Sequence, residues 1–235
     1  WMSSGNWKSS SVPAPGVRGN VEWSIIIDNS EVAQMVDQQF SLDIHWSELM
    51  SLSDYDSYIF YPPNTIGGGG VQSVIQATVS GEVLTCPENC VTKITEFIRS
   101  ADSEVLLSQQ TLDVDWSYGW GDENPIITAL HDVATEGVGV HLIINGAYLD
   151  DDDQEVVDLF NEVWNGTEGL DASAIVMSED DDVSKLHNKG IIVDGESVLV
   201  SSINMGSSAM NRNREMGIII HSATVTQFYL DAWHE

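Results

Sequence analysis

Apolar positions in this chain switch repeatedly between the helical and the extended period. Val91, Ile94, Ile98 and Ala101 fall on one stripe, which predicts a helix over 87–101. Helical patterns also cover 30–42, opened by Ser30 as a cap, and 152–164; a closing amphipathic segment runs over 225–233. Asn124-Pro125 opens a further helix, with Pro at its first position and Gly137 after its end. Extended runs lie between these, over 22–28, 71–79, 104–110, 172–177, 186–193, 198–202 and 216–221. Residues 138–144 are almost continuously apolar, as in a strand covered on both faces of a parallel sheet. Asp194-Gly195 reads as a hairpin turn. Pro62-Pro63 and a four-glycine run mark 46–70 as a connector. This alternation argues for an α/β sandwich, a mixed sheet between helical layers.

The densest chemistry lies in Lys185-Leu-His-Asn-Lys-Gly-Ile-Ile-Val-Asp194, followed by Ser201-Ser-Ile-Asn204 and Asn211-Arg-Asn-Arg-Glu215. His187 and Lys189 sit at i and i+2, so on one strand they would share a face. A neutral imidazole can attack phosphorus and carry a phosphoryl group. An ammonium beside it neutralises phosphate oxygens as they gain charge. A carboxylate on the far ring nitrogen fixes the tautomer. Ser202 and Asn204 offer hydrogen bonds to the remaining oxygens.

In this order the residues resemble the HKD motif of the phospholipase D superfamily, H-x-K-x4-D-x6-G-S-x-N with a downstream Glu. His187, Lys189, Asp194, Ser202, Asn204 and Glu215 match it, and Ser201 stands where the family usually has Gly. The resemblance implies an α-β-α sandwich with a mixed central sheet, and two motifs that meet to form one active site. One His would be the nucleophile and the other would protonate the leaving alkoxide, with no metal or other cofactor. Glu215 would orient His187, and Glu22 would orient the His of the other motif. Lys189, Ser202, Asn204, Ser4 and Asn6 would bind phosphate. Asp194, part of the motif, is expected mainly to shape the turn after the strand.

The two motifs of such proteins predict an internal repeat. Ser3-Ser-Gly-Asn6 matches Ser201-Ser-Ile-Asn204, and Asn20-Val-Glu-Trp-Ser-Ile-Ile-Ile27 matches Asn213-Arg-Glu-Met-Gly-Ile-Ile-Ile220. The offsets are 198 and 193, so the first copy holds a five-residue insertion, placed near Val12-Pro-Ala-Pro-Gly16. The organisation expected is the end of a first repeat over 1–46, a connector over 47–80 and a complete second repeat over 81–235. The first copy has no H-x-K-x4-D, so a missing first-repeat segment is expected to be needed to complete the site.

Charge narrows the partners. The net charge is −29, from 37 acidic and 8 basic residues, which opposes nucleic acid and argues for adaptation to high salt, as in a halophilic archaeal source. Six of the eight cations (Lys8, Arg18, Lys185, Lys189, Arg212 and Arg214) lie in the two motif regions, where a phosphate would bind. The acidic runs 150–153 and 179–182 read as solvated loops and lack the spacing of a calcium loop. No run is long and apolar enough to cross a membrane. Cys86 and Cys90 are either a short-loop disulfide or two thiols. A disulfide, with the sequon Asn165-Gly-Thr167, would lean toward an extracytoplasmic or cell-surface setting. Trp116, Tyr118 and Trp120 alternate at strand spacing and are candidates for the substrate mouth. His131 and His141 read as structural.

The expected function is a phospholipase D-type phosphodiesterase, hydrolysing or transferring phosphodiesters through a phosphohistidine, with phospholipid favoured over nucleic acid. The other readings are a nuclease of the same superfamily, a noncatalytic binding protein that keeps the fold, and a chain that completes its site by dimerising.

Overall fold

The computed structural model describes residues 1–6, 8–13, 17–48, 79–116, 123–147, 149, 151–178 and 183–234. Three short strands, β1 (Met2–Ser3), β2 (Gly19–Val21) and β3 (Ser24–Ile25), precede helix α1 (Ser30–Glu48). After them come β4 (Ser80–Cys86), α2 (Cys90–Arg99), β5 (Glu104–Gln109), α3 (Pro125–Thr135), β6 (Gly139–Asn145) and α4 (Asp151–Asp158). A π-helical stretch, Leu159–Trp164, continues α4. The chain then forms β7 (Ala172–Met177), β8 (Val183–Leu186), β9 (Lys189–Val193), β10 (Ser197–Ser201), α5 (Ser207–Asn211), β11 (Glu215–His221) and α6 (Ala223–His234).

Seven strands form one mixed sheet in the order β4-β11-β10-β9-β5-β6-β7. β5, β6 and β7 run parallel, whereas β9 joins β5 antiparallel and the remaining pairs are antiparallel. Because side chains alternate along a strand, the central strands feed two cores. Leu107, Ile191, Leu199 and Ile219 face one side with Ile94, Ile98, Leu130 and Phe160 of the helical layer. Leu106, Ile192, Val200 and Ile218 face the other with Trp23, Val225 and Tyr229. The sandwich with a mixed sheet is thus the architecture observed.

Several local expectations change. The helix expected from 30 runs on to Glu48, and its cap is Asn29, whose Oδ1 accepts from the amides of Glu31 and Val32 at 2.8 and 3.1 Å. The strand expected over 22–28 shrinks to Ser24–Ile25, because its partner β1 is only two residues long. The sequence pattern passes over β4, an edge strand whose first half is exposed and carries Glu82. Of the strand expected over 71–79, only Val79 is described, and it lies outside any strand. The run 186–193 breaks at His187-Asn188, where the chain leaves β8, paired with β2, and enters β9 in the main sheet. Cys86 and Cys90 form a disulfide, both ends buried, which joins the end of β4 to the start of α2.

Candidate active site

The break at His187-Asn188 creates the site. A continuous strand would have kept His187 in one ladder. Instead its amide donates to the Val21 carbonyl at 2.9 Å, while Lys189 opens β9 opposite Gln109. This brings the amino-terminal segment against the motif. His187 Nδ1 lies 2.9 Å from Glu22 Oε2, and both side chains are more than nine-tenths buried. Ser4 Oγ donates to the same carboxylate oxygen at 2.6 Å, and Asn20 Nδ2 reaches its other oxygen at 3.3 Å. Burial pushes the Glu22 carboxyl upward, but the bonds from His187, Ser4 and Ser11 outweigh it and hold the group below its ordinary value. An ionised Glu22 accepting the Nδ1 proton leaves the Nε2 lone pair of His187 for chemistry.

Lys189 is buried and donates to the His187 carbonyl at 2.6 Å and to Gln110 Oε1 at 2.8 Å. Desolvation pulls its ammonium down to about 7; the carboxylates of Glu22 and Glu215 work against that fall, and Lys185 and Lys8 add to it. Asn204 presents a carboxamide whose Oδ1 is buried without a hydrogen-bond partner among the described residues.

A second network repeats the first around Glu215. Ser202 Oγ donates to Glu215 Oε2 as Ser4 does to Glu22. The Met216 amide donates to Ser202 Oγ at 3.2 Å, and the Trp23 amide to Ser4 Oγ at 3.0 Å. Asn213 Nδ2 reaches Glu215 Oε1 at 3.4 Å, the counterpart of Asn20 on Glu22. The strand register repeats as well: Ser3 opposes Ser24 as Ser201 opposes Gly217, each pair related by the offsets 198 and 193 read from the sequence. The imidazole has no second copy; among the described residues no His bonds Glu215.

These contacts revise the assignments of Glu22, Glu215, Ser4 and Ser202. Glu22, not Glu215, orients His187, so the carboxylate assigned to the other motif crosses over to this one. Ser4 and Ser202 are not free to donate to phosphate, because a hydroxyl has one proton and each gives it to a carboxylate. Asn6 is exposed beside them. Asp194, expected to shape the turn, follows the last residue of β9, roughly 20 Å along the chain from His187 at about 3.3 Å per residue. Its carboxylate accepts from the amides of Asp102, Ser103 and Glu104 and from the Ser103 hydroxyl, at 2.7–3.0 Å, and its φ is 53°.

That makes Asp194 a test of role. Asp194→Asn keeps a residue tolerant of the left-handed region but loses the charge. We expect a loss of about 1–2 kcal/mol in unfolding free energy, read by urea melts, with the chemistry of the site unaffected. Burial raises the Asp194 carboxyl, but its four bonds outweigh this and lower it. Its stabilisation is therefore present above the unfolded value of about 3.9 and is lost as pH falls through the lower folded value, so the two proteins should converge in strong acid.

The cations divide between two tasks. Lys8, Lys185 and Lys189 act electrostatically on one another near Glu22. Arg18 instead donates to the Val183 carbonyl, and Arg214 binds Glu88, Asp43 and the Cys86 carbonyl, tying elements together. Trp116 is buried, while Tyr118 and Trp120 lie outside the described residues. His141 Nδ1 lies 2.8 Å from Ser173 Oγ, across β6 and β7, in a structural setting. Beside Ser202 a cleft of about 220 Å³ opens, lined by Trp1, Met2, Ser3, Gly5, Val36, Ser202 and Met216. No helix among the described residues is long and apolar enough to cross a membrane.

The chain belongs to the family described as "Cardiolipin synthase, PLD-like domain", whose model matches residues 94–233, within the phospholipase D-like phosphodiesterase superfamily. It is 26% identical over 172 residues to a phospholipase D of Rickettsia bellii, covering 73% of this chain and 75% of that protein. A phospholipase D of Rickettsia felis is also 26% identical, over 162 residues, covering 68% and 71%. Among solved structures, the phospholipase D family member Nuc from Salmonella typhimurium superposes with a TM-score of 0.53 at 19% identity, covering 67% of this chain and 93% of that one. NucT from Helicobacter pylori gives a TM-score of 0.53 at 13% identity, covering 67% and 94%. These two show a shared fold.

Proposed function

We propose that this protein is an active phosphodiesterase that works through a phosphohistidine on His187. The observation that carries this reading is the buried Glu22–His187 pair at 2.9 Å, which commits Nδ1 and leaves Nε2 without a bond among the described residues, while the Lys189 ammonium is held on the His187 carbonyl. Nε2 attacks phosphorus, the phosphorus–oxygen bond to the leaving alcohol breaks, and that oxygen takes a proton from an acid. Water then attacks phosphorus, giving a proton to the conjugate base of that acid, and the phosphorus–nitrogen bond breaks, releasing a phosphomonoester and restoring the imidazole. Glu215, held by Ser202 and Asn213 as Glu22 is held by Ser4 and Asn20, marks where a second imidazole belongs as that acid.

Phospholipid is the favoured substrate, in hydrolysis or transfer. The net charge of −29 repels a polyanion. The cleft beside Ser202 has Met2, Val36 and Met216 in its wall, which suits an apolar substituent on the diester better than a second phosphate. The test is a panel of phosphatidylcholine micelles, single-stranded DNA and bis(p-nitrophenyl) phosphate at high salt. Cleavage of the lipid and the small diester but not DNA is expected; cleavage of DNA alone overturns the lipid reading. Because the ammonium must stay charged, kcat/KM should fall as pH rises through about 7, the value to which burial brings Lys189. A flat profile between pH 6 and 9, a range chosen around that value, counts against Lys189 acting as a cation.

A further inference from the structure

Lys189 is gripped from a second element. Besides the His187 carbonyl, its ammonium donates to Gln110 Oε1 at 2.8 Å. Gln110 leaves the end of β5, and its own amide donates to the Asn188 carbonyl at 2.9 Å, so main chain and side chain both bind it to the 187–189 turn. Immediately afterwards Leu112 bridges Met205, and the Met205 amide reaches the Thr111 carbonyl at 3.3 Å. Residues 110–112 thus join the Lys189 turn to the loop that carries Ser202 and Asn204. Gln110 lies some 79 residues from Lys189 in sequence and outside every motif described above.

We propose that Gln110 is a positioning residue for Lys189, supplying the neutral acceptor that holds its ammonium at the phosphate site. An ammonium has three N–H donors and no acceptor. Two are taken by the His187 carbonyl and Gln110, and the third remains for a phosphate oxygen. The choice of a carboxamide has a physical consequence. A carboxylate at 110 would hold the ammonium as well but would cancel the positive field the substrate needs; an aliphatic side chain would leave a buried N–H unpaired. The charged groups acting on Lys189 are Glu22 and Glu215, which favour its charge, and Lys185 and Lys8, which oppose it. His187 shares Glu22. Gln110 adds a directed bond to this balance without adding charge.

The inference takes its catalytic meaning from the phosphodiesterase reading, so the experiment separates the two. The chain has only four lysines, Lys8, Lys93, Lys185 and Lys189, which makes a titration of labelled lysine side chains by NMR readable. In Gln110→Leu the Lys189 midpoint should drop by about one unit or more, because a bond to the charged form is lost. In Gln110→Glu it should rise by a similar amount. The alkaline limb of kcat/KM on bis(p-nitrophenyl) phosphate should follow each shift, with kcat reduced in both variants. A Lys189 midpoint unchanged in both, in proteins with native spectra, overturns the proposal. Should the leucine variant fail to fold, Gln110→Glu alone decides: a midpoint that does not rise overturns it. If the midpoints move but neither the wild type nor any variant cleaves a diester, the activity reading fails while the Gln110–Lys189 coupling stands.

Discussion

Changing His187 to Ala should abolish diester cleavage, by on the order of 10⁴-fold or more in kcat, since the proposed covalent intermediate forms on that ring. The assay belongs on the form in which an imidazole stands at each carboxylate network. Glu22→Gln should cost on the order of 10³-fold, because the uncharged amide neither fixes the Nδ1–H tautomer nor stabilises the imidazolium. The pairing seen here makes a sharper claim than loss of activity. Glu22→Gln should move the Nδ1 resonance of His187, whereas Glu215→Gln should leave it in place, since Glu22 and not Glu215 bonds that ring. A resonance that moves with Glu215 and ignores Glu22 would reverse the assignment. Full activity in His187→Ala would end the phosphohistidine mechanism.

The second large effect is expected at Trp23, far from the chemistry in character though next to it in the chain. Its ring is buried, packs on Tyr229 with centroids 5.0 Å apart, and packs against Gly190, where a Cβ would come within 2.2 Å of the ring. Its amide and carbonyl bond Ser4, and its neighbour is Glu22. Trp23 is therefore the peg that holds the amino-terminal segment on the main sheet. Trp23→Ala removes about 3–5 kcal/mol of packing. The loss should appear locally first, as at least a hundredfold faster hydrogen exchange at the amides of Ser4 and His187, which bond across this junction. Activity should fall with it, because Glu22 loses its fixed position. Gly190→Ala attacks the same contact from the other side and should destabilise too, by overpacking. Unchanged exchange at Ser4 and His187 in Trp23→Ala would show that the segment is held by something else.

The cap and Pro start of α3 and the apolar runs of β5, β6 and β7 follow from local periodicity, and the structure keeps them nearly to the residue, while the helix expected over 87–101 is trimmed to Cys90–Arg99. Elements stabilised by pairing rather than by their own pattern were harder to read. β4 has an exposed first half and becomes a strand because β11 lies alongside it. β8 and β9 look like one strand, and divide because β2 claims one half and β5 the other. In the candidate site, His187, Lys189 and Asn204 were picked out as an ordered set that resembles the HKD motif. The role of Asp194 in its turn was legible too, since Asp is one of the few residues that tolerate a left-handed φ. Gln110 and Trp23 carried no local signal, being ordinary residues whose partners lie far along the chain.

Taken alone, then, the sequence determined which groups are candidates for the site, because the imidazole, ammonium and carboxamide are covalent facts spaced along one segment. It also determined that Ser4 to Glu22 echo Ser202 to Glu215, because equal spacing returns equal local hydrogen bonds. What only the tertiary structure decided is which carboxylate serves which imidazole. Glu22 and Glu215 are the same residue in the same local network, and no local rule separates them. The choice is made where β2 pairs with β8 and Trp23 seats on Gly190, contacts between segments some 165 residues apart that no local spacing can encode.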